Sequence, residues 1–559
     1  MTWGIRRGRP ALATAVALTA LGAGIAQGAL GDLTQSAGPK GCLADDDGQG
    51  CRVAKSPRGS ELATSPDGRH LYVTSSGSIT TLEITRDGSL RQSPKRHSCL
   101  SDFYEPCRPN ALGGDFLSGG IAIAPDGRNA YVLSGAAGAE GVLAFKRDRK
   151  TGALRQLKGK AGCLTAQGRS DDDDPATAGD CADAPTLSNV ASIAIAPDGR
   201  DVYVGGGFTS QAIFSLDRNK RSGRLSQRSG EGGCVSSAIV ACRDSIATNL
   251  IAALTFDSKG RQLYAAAHNS GGIGIFDRAK NGALTQKQGA AGCVTNSGAG
   301  DCVDGRGLAT TRDVAVSPDD RNVYAVARGS SALTTFGRNL QTGTIQQLPG
   351  ANGCLVETAT AAIPNCADAL VLGVADDIAV SRDGRSVYAL ADGFFADNLA
   401  HGIGVFRRGP QTGVLSQPDV PNACFSQDGF SDPDVPGTAG ECRTGRMFGP
   451  FGELVLAPGD GSLYSNDTNE GIDILKRKAQ PCAGKRVTLM GTPLKDSLVG
   501  SDGKDVIAGL DGNDRIRGLS GRDVICGGKG KDRIDGGAGK DRCRGDSGRD
   551  RLRACEKSG

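Results

Sequence analysis

GSDGKDVIA (Gly500–Ala508) runs without a gap into GLDGNDRIR (Gly509–Arg517), and GGKGKDRID (Gly527–Asp535) repeats the phrase. Each unit is nine residues long. Gly500, Gly509, Gly518, Gly527, Gly536 and Gly545 open successive units, each with a second Gly three places on and an Asp five places on. The Asp series is Asp496, Asp505, Asp514, Asp523, Asp532, Asp541 and Asp550. Two places after each stands a small or apolar residue: Leu498, Ile507, Ile516, Ile525, Ile534, Cys543 and Leu552. This is the G-G-x-G-x-D-x-U-x pattern of a parallel β-roll. Gly at positions one and four is expected to supply left-handed turn backbone, while position eight drops an aliphatic side chain between two short strands. Two units make one coil, so residues eighteen apart stack. One edge would carry Asp496, Asp514, Asp532 and Asp550, and the other Asp505, Asp523 and Asp541.

Carboxylates and turn carbonyls converging along an edge form a flexible cage of hard oxygens, which suits calcium with its ~6–8 oxygen ligands. Residues 491–553 resemble the hemolysin-type (RTX) calcium-binding repeats. The resemblance implies calcium ions held at Asp505, Asp514, Asp523, Asp532, Asp541 and Asp550. The first unit has Leu494 where Gly is expected, so Asp496 is read as a poorly binding cap. Position five is basic in most units (Lys504, Arg522, Lys531, Lys540, Arg549). Residues 491–559 hold 15 Lys and Arg against 12 Asp and Glu, a balance of +3 that should soften carboxylate repulsion and weaken calcium affinity. Export by an N-terminal signal sets the chain apart from RTX toxins with a C-terminal signal, so toxin activity does not follow from the repeats.

Upstream, a second repeat recurs seven times. Its core phrase is Ser65-Pro66-Asp67-Gly68, then Ala124–Gly127, Ala196–Gly199, Asp257–Gly260, Ser317–Asp320, Ser381–Gly384 and Ala457–Asp460. An alternating apolar run precedes each phrase, and a strand marked by Tyr72, Tyr131, Tyr203, Tyr264, Tyr324, Tyr388 or Tyr464 follows it. A third strand (Val142 to Lys146), a turn and a fourth strand (Ala153 to Leu157) complete each unit. Four short strands with turn residues between them predict one propeller blade. Leu33-Thr34-Gln35 with Gly41-Cys42 matches Leu284-Thr285-Gln286 with Gly292-Cys293, whereas the last repeat lacks a fourth strand. The N-terminal strand should therefore close the last blade and remove the exposed sheet edges.

The phrase S-P-D-G-R-x-x-Y-V resembles the seven-bladed lactonase-like (YVTN-type) propellers over about 440 residues, which implies an all-β fold. Such a motif encodes turns and strands, not activity. The His, Glu and Arg that serve lactone hydrolysis in that family find no matching positions here.

The bulk numbers fit this plan. With 84 Gly and only 4% aromatic residues in 559, turn-rich β structure is favoured over helical bundles. Residues 1–28 read as a secretory signal peptide with a basic start and an apolar run from Ala11 to Ala26. Removing its Arg6, Arg7 and Arg9 takes the net charge from +4 to +1, which disfavours nucleic acid as a partner. No other stretch approaches a membrane span, so a secreted or cell-surface protein is expected. The 18 cysteines suit an oxidising compartment. Fourteen fall into seven neighbouring pairs: Cys42 with Cys51, Cys99 with Cys107, Cys163 with Cys181, Cys234 with Cys242, Cys293 with Cys302, Cys354 with Cys366, and Cys424 with Cys442. Cys482 is assigned to Cys526, and Cys543 to Cys555. Zinc is disfavoured by four His and no C-x-x-C.

The domain plan is thus signal peptide 1–28, propeller 29–478, linker 479–490 and roll 491–559. Within the propeller, the residue before each first strand is acidic in four repeats: Glu61, Asp313, Asp377 and Glu453. Those carboxylates are expected at the channel mouth, where they could hold a cation. Four places past the Tyr, repeats four to six carry His268, Arg328 and Asp392, a general base with an electrophilic partner. The cysteine loops, some flanked by acidic runs (Asp45–Asp47, Asp171–Asp174, Asp432–Asp434), are expected to crown one face. The first functional expectation is calcium binding, with the propeller as an extracellular platform for a protein, glycan or small molecule. The second is a lactonase-type hydrolase carrying the roll as accessory.

Overall fold

The structure is a computed structural model that describes residues 33–45, 51–54, 59–75, 77–93, 98–101, 107, 120–135, 140–170, 175–357, 363–391, 401–426, 440–445, 452–466 and 471–558. The signal peptide, most of the acidic runs and Asp392 lie outside these residues. The described chain is all β apart from short 3-10 turns. No helix among the described residues is long and apolar enough to cross a membrane.

Seven sheets, antiparallel apart from a short parallel edge pairing in six of them, form the propeller. In the second, Ile121–Ile123 lies innermost and pairs with Asn129–Ser134, which pairs with Gly141–Arg147. The last blade, built from Leu454–Leu456, Ser462–Asn466 and Gly471–Arg477, is completed by the N-terminus: Leu33 pairs with Arg477, and Cys42 with Asp473. Chain start and propeller end thus share one sheet, which closes the ring.

The outer edge is more elaborate than a fourth strand. Leu154–Gln156 covers only the end of the third strand, and Cys163–Thr165 re-enters the same ladder to cover its start. Ala182–Asp183 then pairs in parallel with Leu164–Thr165, clamped by Cys163–Cys181. Between the two pieces the chain steps out through Gly159–Ala161. Gly162 is obligatory there, because a Cβ would sit 2.1 Å from the Leu157 carbonyl oxygen. The cysteine loops are therefore edge strands of the blades. They pair with the start of the third strand, beside its connection to the second, and use the hydrogen-bonding capacity left over there.

The blades are joined by a repeated contact. The seven repeat tyrosines, Tyr72 to Tyr464, are fully buried. Tyr72 Oη donates to the Gly152 carbonyl of the next blade (2.8 Å), and Arg147, at the end of that blade's third strand, donates Nε to Tyr72 Oη (2.6 Å). The same guanidinium donates to both oxygens of Asp67 in the S-P-D-G turn (3.0 Å each). Arg218 with Asp126 and Tyr131, Arg338 with Asp257 and Tyr264, Arg408 with Asp319 and Tyr324, and Arg477 with Asp383 and Tyr388 repeat it. So does Arg278 with Asp198 and Tyr203. The recurring Asp and Tyr of the sequence are thus two thirds of an inter-blade joint. At the closing joint blade one offers Ile84 instead of Arg. There Tyr464 donates to the Gly88 carbonyl (3.0 Å), and Arg486, from beyond the propeller, donates to Ser462 Oγ (2.6 Å).

The C-terminal segment is a parallel solenoid. Leu489–Met490, Val506–Ala508, Val524–Gly530, Arg542–Gly548 and Lys557–Ser558 form one sheet. Ser497–Val499, Arg515–Arg517, Arg533–Asp535 and Arg551–Arg553 form the other. Every pairing inside the repeats joins residues eighteen apart, for example Ile507 with Ile525 and Ile516 with Ile534. Leu489, Leu498, Ile507, Ile516, Ile525, Ile534 and Cys543 fill the space between the sheets. Cys482, Val487 and Met490 pack with Val506, Ala508, Val524 and Cys526 on the outer side of the first sheet. The Cys482–Cys526 and Cys543–Cys555 disulfides tie the segment before the repeats and the last turn to the coil.

Candidate functional site

Along each edge of the solenoid the Asp side chains point inward and hold the preceding rung. Asp514 Oδ1 accepts from the Asp496 amide (2.8 Å), Asp532 from Asp514 (2.9 Å) and Asp550 from Asp532 (2.9 Å). On the other edge Asp523 accepts from Asp505 and Asp541 from Asp523 (2.8 Å each). Glu556, which falls outside the nine-residue period, ends that edge by accepting from the Asp541 amide.

The second carboxylate oxygen decides what the ladder can hold. Oδ2 of Asp514, Asp523, Asp532 and Asp541 is buried with no hydrogen-bond partner. These residues are at most 2% exposed, and leaving such an acceptor unpaired is costly. Burial pushes Asp514 and Asp523 up to about 7, with rung neighbours Asp496, Asp532, Asp505 and Asp541 adding to the shift. A buried, oxygen-only, anionic array of this kind fits calcium. A bound ion would supply the positive charge that satisfies the orphaned oxygens.

Glycine plays two parts here. Gly512, Gly521, Gly530, Gly539 and Gly548 at position four have φ between 132° and 149°. Position-one glycines have ordinary backbone and are needed for space: a Cβ on Gly509 would lie 2.3 Å from the Gly527 carbonyl oxygen and 2.5 Å from Asp514 Oδ2. The left-handed residue near the start of the turn is position two, as at Leu510 (φ 77°) and Leu519 (φ 78°). This corrects the reading of position one, where close stacking of coils and not φ demands Gly.

A second group of ionisable residues surrounds the propeller channel. Glu453 accepts from the Leu62 amide and Asp377 from the Leu454 amide. Asp313 accepts from the Ile378 amide (3.2 Å), and Glu61 from the Gly120 amide. Each carboxylate thus reaches to the innermost strand of the following blade, from blade five round to blade two. They line an open cavity of ≈ 710 Å³. Burial, then repulsion from Asp377, raises Glu61 to about 7; burial likewise raises Asp313, Asp377 and Glu453.

Glu61 has a folded value above its ordinary 4.5, so its contribution is full below pH 4.5 and is lost as pH rises through about 7. Propeller stability is expected to fall by on the order of 2 kcal/mol across that window, and Glu61→Gln should flatten the slope. Urea unfolding at several pH values tests this; equal slopes in both proteins would contradict it.

Beside the ring, Asp376 accepts from Arg312 Nε (2.6 Å) and Arg328 Nη2 (2.8 Å). His268, from blade four, adjoins them, and burial followed by Arg312 and Arg328 pushes it down to about 4, so it is neutral at pH 7. Its Nδ1 is buried without a partner. Arg312 and Asp376 escape a period-two reading because a β-bulge lies between Thr311 and Asp313 and another between Ala375 and Asp377. The bulges turn consecutive side chains, Arg312 with Asp313 and Asp376 with Asp377, toward one cavity. Asp392 lies outside the described residues. Among those described, no three His, Cys, Asp or Glu side chains are spaced to hold a metal by themselves, so a roll ion would draw on turn carbonyls as well.

Residues 490–525 and 517–552 match the model of the RTX calcium-binding nonapeptide repeat. No protein of curated function matches the chain in sequence. Similar solved structures include a putative 6-phosphogluconolactonase from Bacteroides uniformis, 16% identical, covering 70% of this chain and 87% of that one with a TM-score of 0.40. The periplasmic gluconolactonase of Pseudomonas aeruginosa is 17% identical, with 69% and 93% coverage and a TM-score of 0.41. Hydrazine synthase from Kuenenia stuttgartiensis is 14% identical, with 77% and 99% coverage and a TM-score of 0.43. The C-terminal segment of this chain is an array of RTX calcium-binding nonapeptide repeats, carried behind a seven-bladed propeller.

Proposed function

We propose that the protein is exported, that calcium ions order its C-terminal roll outside the cell, and that the propeller serves there as a platform for an extracellular protein, glycan or small molecule. The observation that carries the calcium reading is the set of four buried, partnerless Oδ2 atoms stacked on two edges. Nine disulfides support an oxidising compartment. A ligand that binds the folded roll alone stabilises it by RT ln(1 + [L]/Kd), or ~2.7 kcal/mol at a hundredfold excess over Kd. Calorimetry of the full chain should show a transition that moves up with calcium and not with magnesium, which resists losing its waters. A scan unchanged by millimolar calcium would sink the reading.

A hydrolase of lactonase type is the second reading, and one observation favours it. His268 is neutral, with a free buried ring nitrogen, close to the Arg312 and Arg328 guanidiniums, of which Arg312 lines the channel cavity. It would act as general base and the arginines as anion stabilisers. Turnover of a lactone panel, lost in the His268→Ala, Arg328→Ala double variant, would establish it. No turnover by the wild type would remove it.

A further inference from the structure

The seven rungs of the Asp ladder do not share one turn. In the units beginning at Gly509, Gly518, Gly527, Gly536 and Gly545, the residue at position two is left-handed: Leu510, Leu519, Gly528, Gly537 and Asp546 have φ of 77°, 78°, 104°, 94° and 63°. Thr492 and Ser501, at the same position of the first two units, are not, and neither are Leu494 and Gly503 at position four. Left-handed backbone costs a residue such as Leu of the order of 1–3 kcal/mol and persists where the surroundings require it.

The two turn shapes treat the carboxylate differently. In the first unit the Thr492 amide and hydroxyl both donate to Asp496 Oδ2 (2.6 and 3.1 Å). In the second the Ser501 amide and hydroxyl both donate to Asp505 Oδ2 (2.7 and 2.8 Å). The corresponding oxygen of Asp514, Asp523, Asp532 and Asp541 has no donor at all. Protein hydrogen bonds therefore do at two rungs what four of the other five leave undone.

The satisfied rungs are also the ones that meet the propeller. Arg382 Nη1 donates to the Met490 carbonyl (3.4 Å), and the Met490 amide donates to the Pro458 carbonyl (2.8 Å). Arg69 lies against the second turn, its Nη2 3.0 Å from where a Cβ on Gly503 would stand. Arg382 and Arg69 thus bring positive charge to Asp496 and Asp505 respectively.

We propose that calcium loads only the later rungs, at Asp514, Asp523, Asp532 and Asp541. The first coil, closed by Thr492 and Ser501 and flanked by Arg382 and Arg69, is a metal-independent dock on which the calcium-dependent coils are templated. The inference rests on the calcium reading above and refines it. It also gives the roll a seed that stays folded when calcium is withdrawn, so that reloading starts from a preformed end and not from free chain.

Native mass spectrometry of the full chain counts bound calcium. The Asp496→Asn, Asp505→Asn variant should carry as many ions as the wild type, whereas Asp523→Asn, Asp541→Asn should carry fewer. Amide exchange of the wild type in chelator gives a second measurement that does not depend on a variant folding. Thr492, Ser501 and Met490 should exchange at least ~10-fold more slowly than Lys529 and Ala538, whose amides join later turns. Equal ion loss in the two variants, or equally fast exchange of the two sets of amides, would overturn the division of the ladder. A wild type that binds no calcium would instead overturn the calcium reading itself.

Discussion

Replacing Asp523 and Asp541 together with Ala is expected to remove about half of the calcium-dependent stability of the roll, two of its four loading rungs, while changing the metal-free protein little. Both carboxylates sit on one edge, and each accepts a single amide hydrogen bond from the rung before it. Without metal, the substitution loses those bonds but also removes two buried carboxyls with unpaired oxygens, and the two effects oppose one another. With calcium at a hundredfold over Kd, each lost ion costs ~2.7 kcal/mol. Calorimetry of both proteins, in calcium and in chelator, reads the difference. A double variant that still responds fully to calcium would contradict the account.

The second large effect lies in the propeller. Arg477→Ala should destabilise it by about 3–5 kcal/mol, the usual consequence of removing one partner from a buried ionic cluster. Its fully buried guanidinium donates to both oxygens of Asp383 (2.9 and 3.0 Å), to Asp460 Oδ2 (2.7 Å) and to Tyr388 Oη (2.8 Å). Truncation strands two carboxylates and a phenol beside the blade that closes the ring. Arg486→Ala at the closing joint removes one hydrogen bond to Ser462 and should cost about 1 kcal/mol. Urea denaturation compares them, and a loss below about 1 kcal/mol for Arg477→Ala would show that the joint does not hold the blades.

How far the sequence could be read depended on the kind of physical constraint. The roll is legible because a solenoid imposes one period on every layer, so the Asp and aliphatic columns appear in the chain as they appear in space. The ring closure is legible because Leu33–Gln35 copies Leu284–Gln286, and its pairing with the last blade follows from the missing strand. The arginines of the inter-blade joints went unread, since Arg147 and Arg477 meet their Asp and Tyr partners only across a blade boundary. Arg312 and Asp376 were hidden by bulges that break the alternation of strand faces. Glu556 ends one edge fifteen residues after Asp541 and not eighteen, so the repeat did not point to it. Thr492 and Ser501 look like ordinary variation at a permissive position until hydrogen bonds show that they take the place left to a cation elsewhere.

The most direct measurement is diffraction from crystals of the full chain grown with calcium. Density is expected beside Oδ2 of Asp514, Asp523, Asp532 and Asp541, with carboxylate and carbonyl oxygens at ~2.3–2.6 Å. Bare carboxylates at those four rungs in millimolar calcium, or side chains turned out to solvent, would contradict the calcium reading.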